Sequence, residues 1–319
     1  MTTDWTHRLR LRHLQWLLSV GETRNLSQSA AALNTTQPAL SKWLRELEDD
    51  IGLPLFERHA RGLKPTAYGE ALIEHARRIH AHLDAARDDM SALVDGGSGL
   101  VAIGTSGVSA ADTVPLAVAR LMRQLPRAQV RLVESTMDLM LPQLVRGELD
   151  IVVGRAASET PDPRLQRETL YREPIDFVTG PAHPLAQRDT LDWDDVFAYP
   201  WIVWPHGTPV RMALETALEV AGRPMPRHRV ESNSSILNIT LLNHSDLVGV
   251  ASHRAALRFA RQGVLRVLPM RLAGHGAVSM YWRDDGKSRT AVALALDHLR
   301  ACAREGPDAA DDLDIDAPG

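Results

Sequence analysis

Cysteine is almost missing from this chain: Cys302 is the single example among 319 residues. One thiol cannot build an intramolecular disulfide framework or a cysteine-rich metal site. Long apolar runs are missing too. No stretch approaches the roughly 20 residues that a membrane helix needs, and the N-terminus has no apolar core of a secretion signal, so the expected location is the cytoplasm. There is no excess of positive charge: 36 Lys and Arg stand against 40 Asp and Glu, a formal net charge of −4. Such a balance excludes a globally basic nucleic-acid binder and leaves room only for a local basic surface. Catalytic signatures are absent as well: no Gly-x-Ser-x-Gly elbow, phosphate-binding loop, dinucleotide fingerprint or zinc helix motif. Neither a cofactor nor a metal site is expected. What the chain does have is length and 44% hydrophobic residues, enough for more than one domain and a sizeable core.

The segment NLSQSAAALNTTQPALSKWLR, from Asn25 to Arg45, reads as two short helices joined by a polar turn. Leu26, Ala30, Ala31 and Leu33 give the first an apolar face. Asn34 and Thr35 suit a turn. Thr36 is a good N-cap, and Pro38 fits the first turn of the second helix, where its missing N–H is no loss. Leu40, Leu44 and Leu47 recur at helical spacing and should face inward, leaving Gln37, Ser41, Lys42 and Arg45 outward. An amide, a hydroxyl and two cations on one face are the groups that read base edges and grip phosphates. An ordinary helical hairpin with a solvated face has the same periodicity. Next come an apolar cluster of Leu53, Leu55 and Phe56 and a segment carrying Arg58, Arg61, Gly62 and Lys64. This reads as a short strand, a glycine turn and cations placed to lie along a phosphate backbone, a β-wing.

With those residues in view, the first quarter of the chain resembles the LysR-type transcriptional regulators. The likeness is carried by Ala30-Ala31, Leu33, Gln37-Pro38-Ala39-Leu40-Ser41, Leu47-Glu48, Leu53, Leu55-Phe56, Arg58, Arg61-Gly62, Leu63, Thr66 and Gly69, in the family's order without a gap. Thr35, where an apolar residue is usual, and Trp43, in place of an aliphatic or small one, depart from the pattern. The resemblance implies a winged helix-turn-helix over residues 1–67 that binds double-stranded DNA, with Ser27, Gln28, Thr36, Gln37, Pro38, Ser41, Lys42, Arg45, Arg58, Arg61 and Lys64 as the candidate contacts.

Leu72, Ala76, Ile79, Leu83, Ala86, Met90 and Leu93 then alternate in steps of four and three, a heptad seam. An amphipathic helix packed on its own domain would show the same pattern. The resemblance favours a linker helix over residues 68–95 that pairs two subunits through Leu72, Ala76, Ile79, Leu83, Ala86 and Met90. Two-fold pairing implies a pseudo-palindromic DNA site. His75, His80 and His82 on this helix lack carboxylate partners at ligand spacing and read as a solvated face.

After the flexible stretch Asp95–Gly99 the character changes. Apolar runs at Leu100–Gly104, Val130–Glu134 and Asp150–Gly154 alternate with helical stretches at Val114–Gln124 and Met137–Arg146. That is an α/β pattern with a largely parallel sheet. A second unit begins near Pro174 with Ile175–Val178, followed by Trp201–Trp204, a helix from Val210 to Ala221, and Leu247–Ala251. Val278–Trp282 and the helix Thr290–Arg304 return to the first. The length and order are similar to the family's two-lobed effector domain, itself like a periplasmic binding protein. The expected domain covers residues 98–304, with lobe I over about 98–172 and 276–304 and lobe II over about 173–275. A ligand there sits outside the strand carboxyl ends. Those ends carry Thr105, Ser106, Ser135, Thr136 and Arg155 in lobe I and His206, Thr208 and Ser234 in lobe II. Hydroxyls and free N–H groups at helix starts suit a small anion, although helix capping accounts for many such residues. The tail 305–319, rich in Asp, Ala, Gly and Pro, reads as a disordered acidic segment.

The sum is an α/β protein with an N-terminal winged helix-turn-helix, a long linker helix and a two-lobed effector domain. It is expected to be a homodimer or a dimer of dimers that binds DNA under control of a small organic anion or sugar and works with RNA polymerase. The alternatives are a metabolite-binding α/β enzyme and a solute-binding module for transport. The opening RLRLRHLQWLL and the segment LFERHARGLKPTAYGEAL are similar to the branch of the family that governs aromatic-acid, sulfonated-aromatic and sugar catabolism.

Overall fold

The computed structural model describes residues 5–59, 62–94, 99–155, 162–272, 276–284 and 289–306. The chain divides into two compact units, Met1–Met90 and Ser91–Gly319.

In the first unit, α1 (Leu11–Thr23), α2 (Leu26–Ala32) and α3 (Gln37–Ile51) precede a hairpin of β1 (Phe56–His59) and β2 (Gly62–Pro65), and α4 (Ala67–Val94) closes it. The caps are those that the sequence specifies. The Asn25 side chain accepts from the N–H groups of Ser27 and Gln28, Thr36 Oγ1 accepts from Ala39 N, and Gly52 ends α3 in the left-handed region at φ 76°. Glu48 Oε1 accepts from Leu55 N at 2.7 Å and Phe56 N at 3.0 Å, which fixes the wing to α3. Gly69 is needed because α4 starts so close to the wing that a Cβ there would stand 2.0 Å from the Leu55 carbonyl oxygen. Leu17, Val20, Leu40, Leu44, Leu47, Leu55 and Leu63 make the core. Two expected core residues are outside it: Ala31 is exposed, and so is Leu53, which lies in the turn after α3 and is 37% accessible.

The heptad seam splits in two. Ile73 and Ala76 are buried in this unit's own core and Leu72 packs against it, so the first turns of α4 are not free to meet another subunit. Ile79, Leu83 and Met90 remain 42%, 40% and 58% accessible, and Ala86 is exposed beside them. The side chain of Leu93 lies outside the described residues.

The second unit begins with β3 (Leu100–Thr105), α5 (Gly107–Ala110), α6 (Thr113–Gln124), β4 (Gln129–Glu134), α7 (Met137–Arg146), β5 (Ile151–Gly154) and β6 (Leu165–Glu173). Lobe II follows as β7 (Ile175–Thr179), α8 (Trp193–Phe197), β8 (Trp201–Val203), α9 (Pro209–Val220), β9 (His228–Glu231), α10 (Ser235–Asn243), β10 (Gly249–Ser252), α11 (His253–Arg261) and β11 (Arg266–Arg271). The chain returns through β12 (Gly276–Arg283) and α12 (Thr290–Glu305).

Sheet I has the order β4-β3-β5-β12-β6. β4, β3 and β5 are parallel, whereas β12 runs antiparallel to both β5 and β6. In lobe II, β9 and β8 are parallel, a bridge from Trp201 to Val248 ties β8 to the start of β10, and β7 runs antiparallel to β10 and β11. Both lobes thus repeat one plan: four strands run in one direction and one, β12 in lobe I and β7 in lobe II, runs against them. The expectation of a largely parallel sheet holds for strand direction, whereas half of the strand pairings in each lobe are antiparallel. Those antiparallel pairings follow from the crossings: β12 enters lobe I from lobe II, and β7 enters lobe II from lobe I. At the crossing the strands run side by side, Glu173 opposite Gly276 and Asp176 opposite Arg271.

β5 is buried throughout and β3 nearly so, as expected of strands covered on both faces. In lobe II, Phe177, Trp193, Phe197 and Trp201 pack edge to face, with Phe177 and Trp201 centroids 5.3 Å apart. Glu305, expected in a disordered tail, is the last residue of α12 and pairs with Arg120; residues 307–319 lie outside the described residues. Among the described residues no helix is long and apolar enough to cross a membrane.

Candidate DNA interface and interlobe cleft

On α3, Gln37, Pro38, Lys42 and Arg45 are exposed, and Ser27 and Gln28 on α2 are exposed next to them in sequence order. Thr36 is exposed, although its hydroxyl is engaged in the cap. Lys42 leans to Glu46 at 3.7 Å, a contact that costs it little reach. Ser41 departs from the outward reading. It is 6% accessible, and its hydroxyl accepts a long hydrogen bond from Arg58 Nη2, 3.4 Å away on the wing. The Ser41 carbonyl also accepts from Arg45 Nε at 3.3 Å. Arg58 and Lys64 are exposed on the hairpin, and Arg61 lies outside the described residues. The result is a surface of one amide and several cations on two adjoining elements, with Ser41 beneath it holding a wing arginine.

At the back of α3, Trp43 is 8% accessible and packs with Trp16 and His13 at centroid distances of 5.4 and 5.5 Å. The Trp43 departure thus fills the α1–α3 crossing. Burial, and then the charges of Arg12 and Arg10, hold the His13 imidazole below its ordinary range.

In the second unit the carboxyl ends of β3, β4, β8 and the start of α10 come together. A Cβ placed on Gly107 would stand 3.6 Å from Ser235 Oγ and 3.7 Å from both Glu134 Oε1 and the Trp204 ring atom Cη2. Gly107 and Glu134 belong to lobe I, Trp204 and Ser235 to lobe II, so this is the interlobe cleft. The Trp204 indole is fixed from behind by its N–H, which donates to the Val250 carbonyl at 3.0 Å. Ser106 Oγ lies over Gly154, where it is buried without a hydrogen-bond partner.

The residues expected at the cleft divide. Ser106, Ser135 and Thr136 stand at the strand ends as anticipated; Thr136 is exposed and its hydroxyl makes no cap. Thr105 is 5% accessible and its hydroxyl is taken up with Ser109 at 2.9 Å. Thr208 donates to the Pro205 carbonyl at 2.7 Å, and Ser234 accepts from Leu237 N as the cap of α10. The His206 side chain is 85% accessible and lies 3.5 Å from Glu215 on α9. Arg155 is 4% accessible, and its guanidinium lies against Gly276 on the crossing strands, where a Cβ would meet Nε at 2.3 Å. Local needs of turns, caps and the crossing therefore account for five of the eight. Glu134 and Trp204 read only as strand residues, and Gly107 and Ser235, which the sequence places at a strand end and a helix start, were not among the candidates. The Glu134–Thr136 run and the WP turn marked the right connections, but which side chain turns inward depends on the partner lobe.

A second interlobe contact lies beside the crossing. Arg254 of α11 stacks on Tyr171 of β6, 3.7 Å from the ring centroid, donates to the Ala303 carbonyl of α12 at 2.7 Å, and stands 3.6 Å from Asp112. Burial pushes the Asp112 carboxyl up against the pull of Arg254 and Arg258. No group of three or more His, Cys, Asp or Glu able to hold a metal occurs among the described residues.

Comparison with known proteins agrees with this geometry. Residues 11–70 match the family model for the bacterial regulatory helix-turn-helix protein, lysR family, and residues 95–304 match that for the LysR substrate binding domain. The HTH-type transcriptional regulator GbpR of Azospirillum brasilense is 32% identical over 93% of this chain and 87% of its own. The regulator PcaQ of Agrobacterium fabrum is 28% identical over 93% of this chain and 96% of its own. The crystal structure of CbnR, a LysR family transcriptional regulator, superposes with a TM-score of 0.66 at 21% identity, covering 92% of this chain and 99% of that one. This chain belongs to the LysR family: it is a DNA-binding regulator with an effector-binding domain.

Proposed function

We propose that the protein binds a pseudo-palindromic promoter site as a homodimer or dimer of dimers, and that a small catabolic metabolite held between the lobes re-spaces its winged heads. The observation that carries this reading is the separation of tasks: an exposed amide-and-cation face on α3 and the wing in one compact unit, and an interlobe cleft of hydroxyls, a carboxylate and an indole in the other. Pairing runs through the exposed half of the α4 stripe, Ile79, Leu83, Ala86 and Met90. The effector acts only through its differential affinity for the two arrangements. RNA polymerase is the expected partner at the promoter and the cytoplasm the expected place of work. Several LysR-family relatives are named as transcriptional regulators, and one solved structure of CbnR is described as complexed with its target DNA; both support duplex DNA as the partner of this chain.

Gln37 is assigned to base edges, with Lys42, Arg45, Arg58 and Lys64 on phosphates. Binding of Gln37→Ala to the promoter fragment and to random duplex, followed by anisotropy across salt concentrations, tests this. The expected loss is about 1–3 kcal/mol on the specific site alone. Equal weakening on both DNAs removes Gln37 from base reading.

A further inference from the structure

We propose that the interlobe cleft is built for an uncharged polyhydroxylated ligand and rejects organic anions. This rests on the reading that the effector binds between the lobes, and it narrows that ligand to one chemical class.

The argument begins with what surrounds Gly107. Ser235 Oγ, Glu134 Oε1 and Trp204 Cη2 all stand within 3.7 Å of the point that a side chain there would first occupy. Glycine leaves that point empty, so groups from both lobes converge on space rather than on a methyl. The Glu134 carboxylate makes no hydrogen bond or ion pair among the described residues, and neither does the Ser235 hydroxyl. Ser106, the neighbour of Gly107, adds a buried hydroxyl without a partner. A buried polar atom left without a partner costs stability that a bound ligand group restores.

The charge of this set selects the ligand. An ionised carboxylate accepts hydrogen bonds and donates none, so it asks for a ligand rich in O–H or N–H donors and repels a second carboxylate. The buried cation nearest in sequence to a strand end, Arg155, lies against Gly276 on the crossing strands and is not among the groups nearest Gly107. The Ser235 hydroxyl decides between a polyol and an amine: it both donates and accepts, as a sugar hydroxyl does, whereas an ammonium only donates. Trp204, its N–H tied back to Val250, sets an apolar ring atom beside these polar groups.

The test uses the full-length protein and matched probes: D-glucose, D-xylose and myo-inositol against D-gluconate, D-xylonate and benzoate. Thermal shift and titration calorimetry read binding to wild type, Glu134→Gln, Ser106→Ala and Gly107→Val. The expected result is millimolar or tighter binding of at least one neutral probe and of no acid, with Glu134→Gln weakening it about tenfold through the lost charge-assisted hydrogen bond. Glu134 is exposed, so this variant should keep the fold. Binding of an acid without any neutral probe overturns the proposal, and so does the absence of any neutral binder. Gly107→Val separates the two levels of the reading. If an acid binds wild type and Gly107→Val abolishes it, the cleft stands and the ligand class falls. If a neutral probe binds and neither Gly107→Val nor Ser106→Ala alters it, the cleft itself is the wrong site.

Discussion

The two units build their surfaces in opposite ways. The proposed DNA-binding face comes from one short run of chain, α2 to β2, and most of its candidate residues are exposed before any partner arrives. The cleft comes from four connections in two lobes, and its defining groups converge only because β7 and β12 cross between them. A contiguous site depends on local caps and one small core; a convergent site depends on the whole sheet plan. The units should therefore fail separately.

The sharpest way to break that comparison is Trp201→Ala. Trp201 is fully buried in lobe II and its N–H donates to the Val196 carbonyl at 3.0 Å. The cavity should cost about 3–5 kcal/mol. Calorimetry should show one transition moved down and the one belonging to residues 1–90 unmoved; a single shifted transition would mean that the units unfold as one. Next in size is Leu83→Glu on the exposed part of α4. A carboxylate in a paired apolar seam has no partner, at a cost of several kcal/mol, so sedimentation should show monomers with native circular dichroism. An intact oligomer would place the contact elsewhere.

Ser41→Ala has a smaller effect. Ser41 supports Arg58 rather than facing solvent, so its loss should cost about 0.5–1.5 kcal/mol in DNA binding. The loss should be non-additive with Arg58→Ala in a double-mutant cycle. Full additivity would return Ser41 to an independent contact. The smallest effect is on pH dependence. Since burial holds the His13 imidazole below its ordinary 6.5, the folded unit favours the neutral ring and the unfolded chain takes up the proton first. Stability from this source is complete above pH 6.5 and falls as pH drops below it toward the folded value. Burial also lowers His183 and His298 in the other unit. His13→Gln should therefore flatten the acid slope of the DNA-binding transition alone.

The same contrast explains what could be read from the sequence. The Thr36 cap, Pro38, the buried strands β3 and β5 and the bounds of α7 are set by neighbours a few residues away, and periodicity shows them. β6, with the sequence LQRETLYRE, was unreadable because its charged pattern is that of an outer strand paired only with β12. The helix α11, HRAALRFAR, was missed as a short basic run, although its Arg254 is buried against lobe I. The burial of Ser41 follows from a wing arginine 17 residues away. Ala76 fits a coiled-coil seam and a domain core equally well by spacing; Leu55 and its neighbours, packed on the start of α4, decide it. Glu134 looks like the solvent end of an edge strand until lobe II is placed opposite.

The crossing strands also set a timetable for synthesis. Lobe II is one continuous stretch, whereas lobe I lacks the partner of β5 until β12 is made, about 130 residues after Gly154. At roughly 5–20 residues per second on a ribosome, that open edge waits on the order of ten seconds. The winged head can fold first and lobe II next, and lobe I last of all. An unpaired apolar strand held that long invites pairing with other chains, so the yield of soluble protein should depend on how quickly the ribosome passes from β5 to β12.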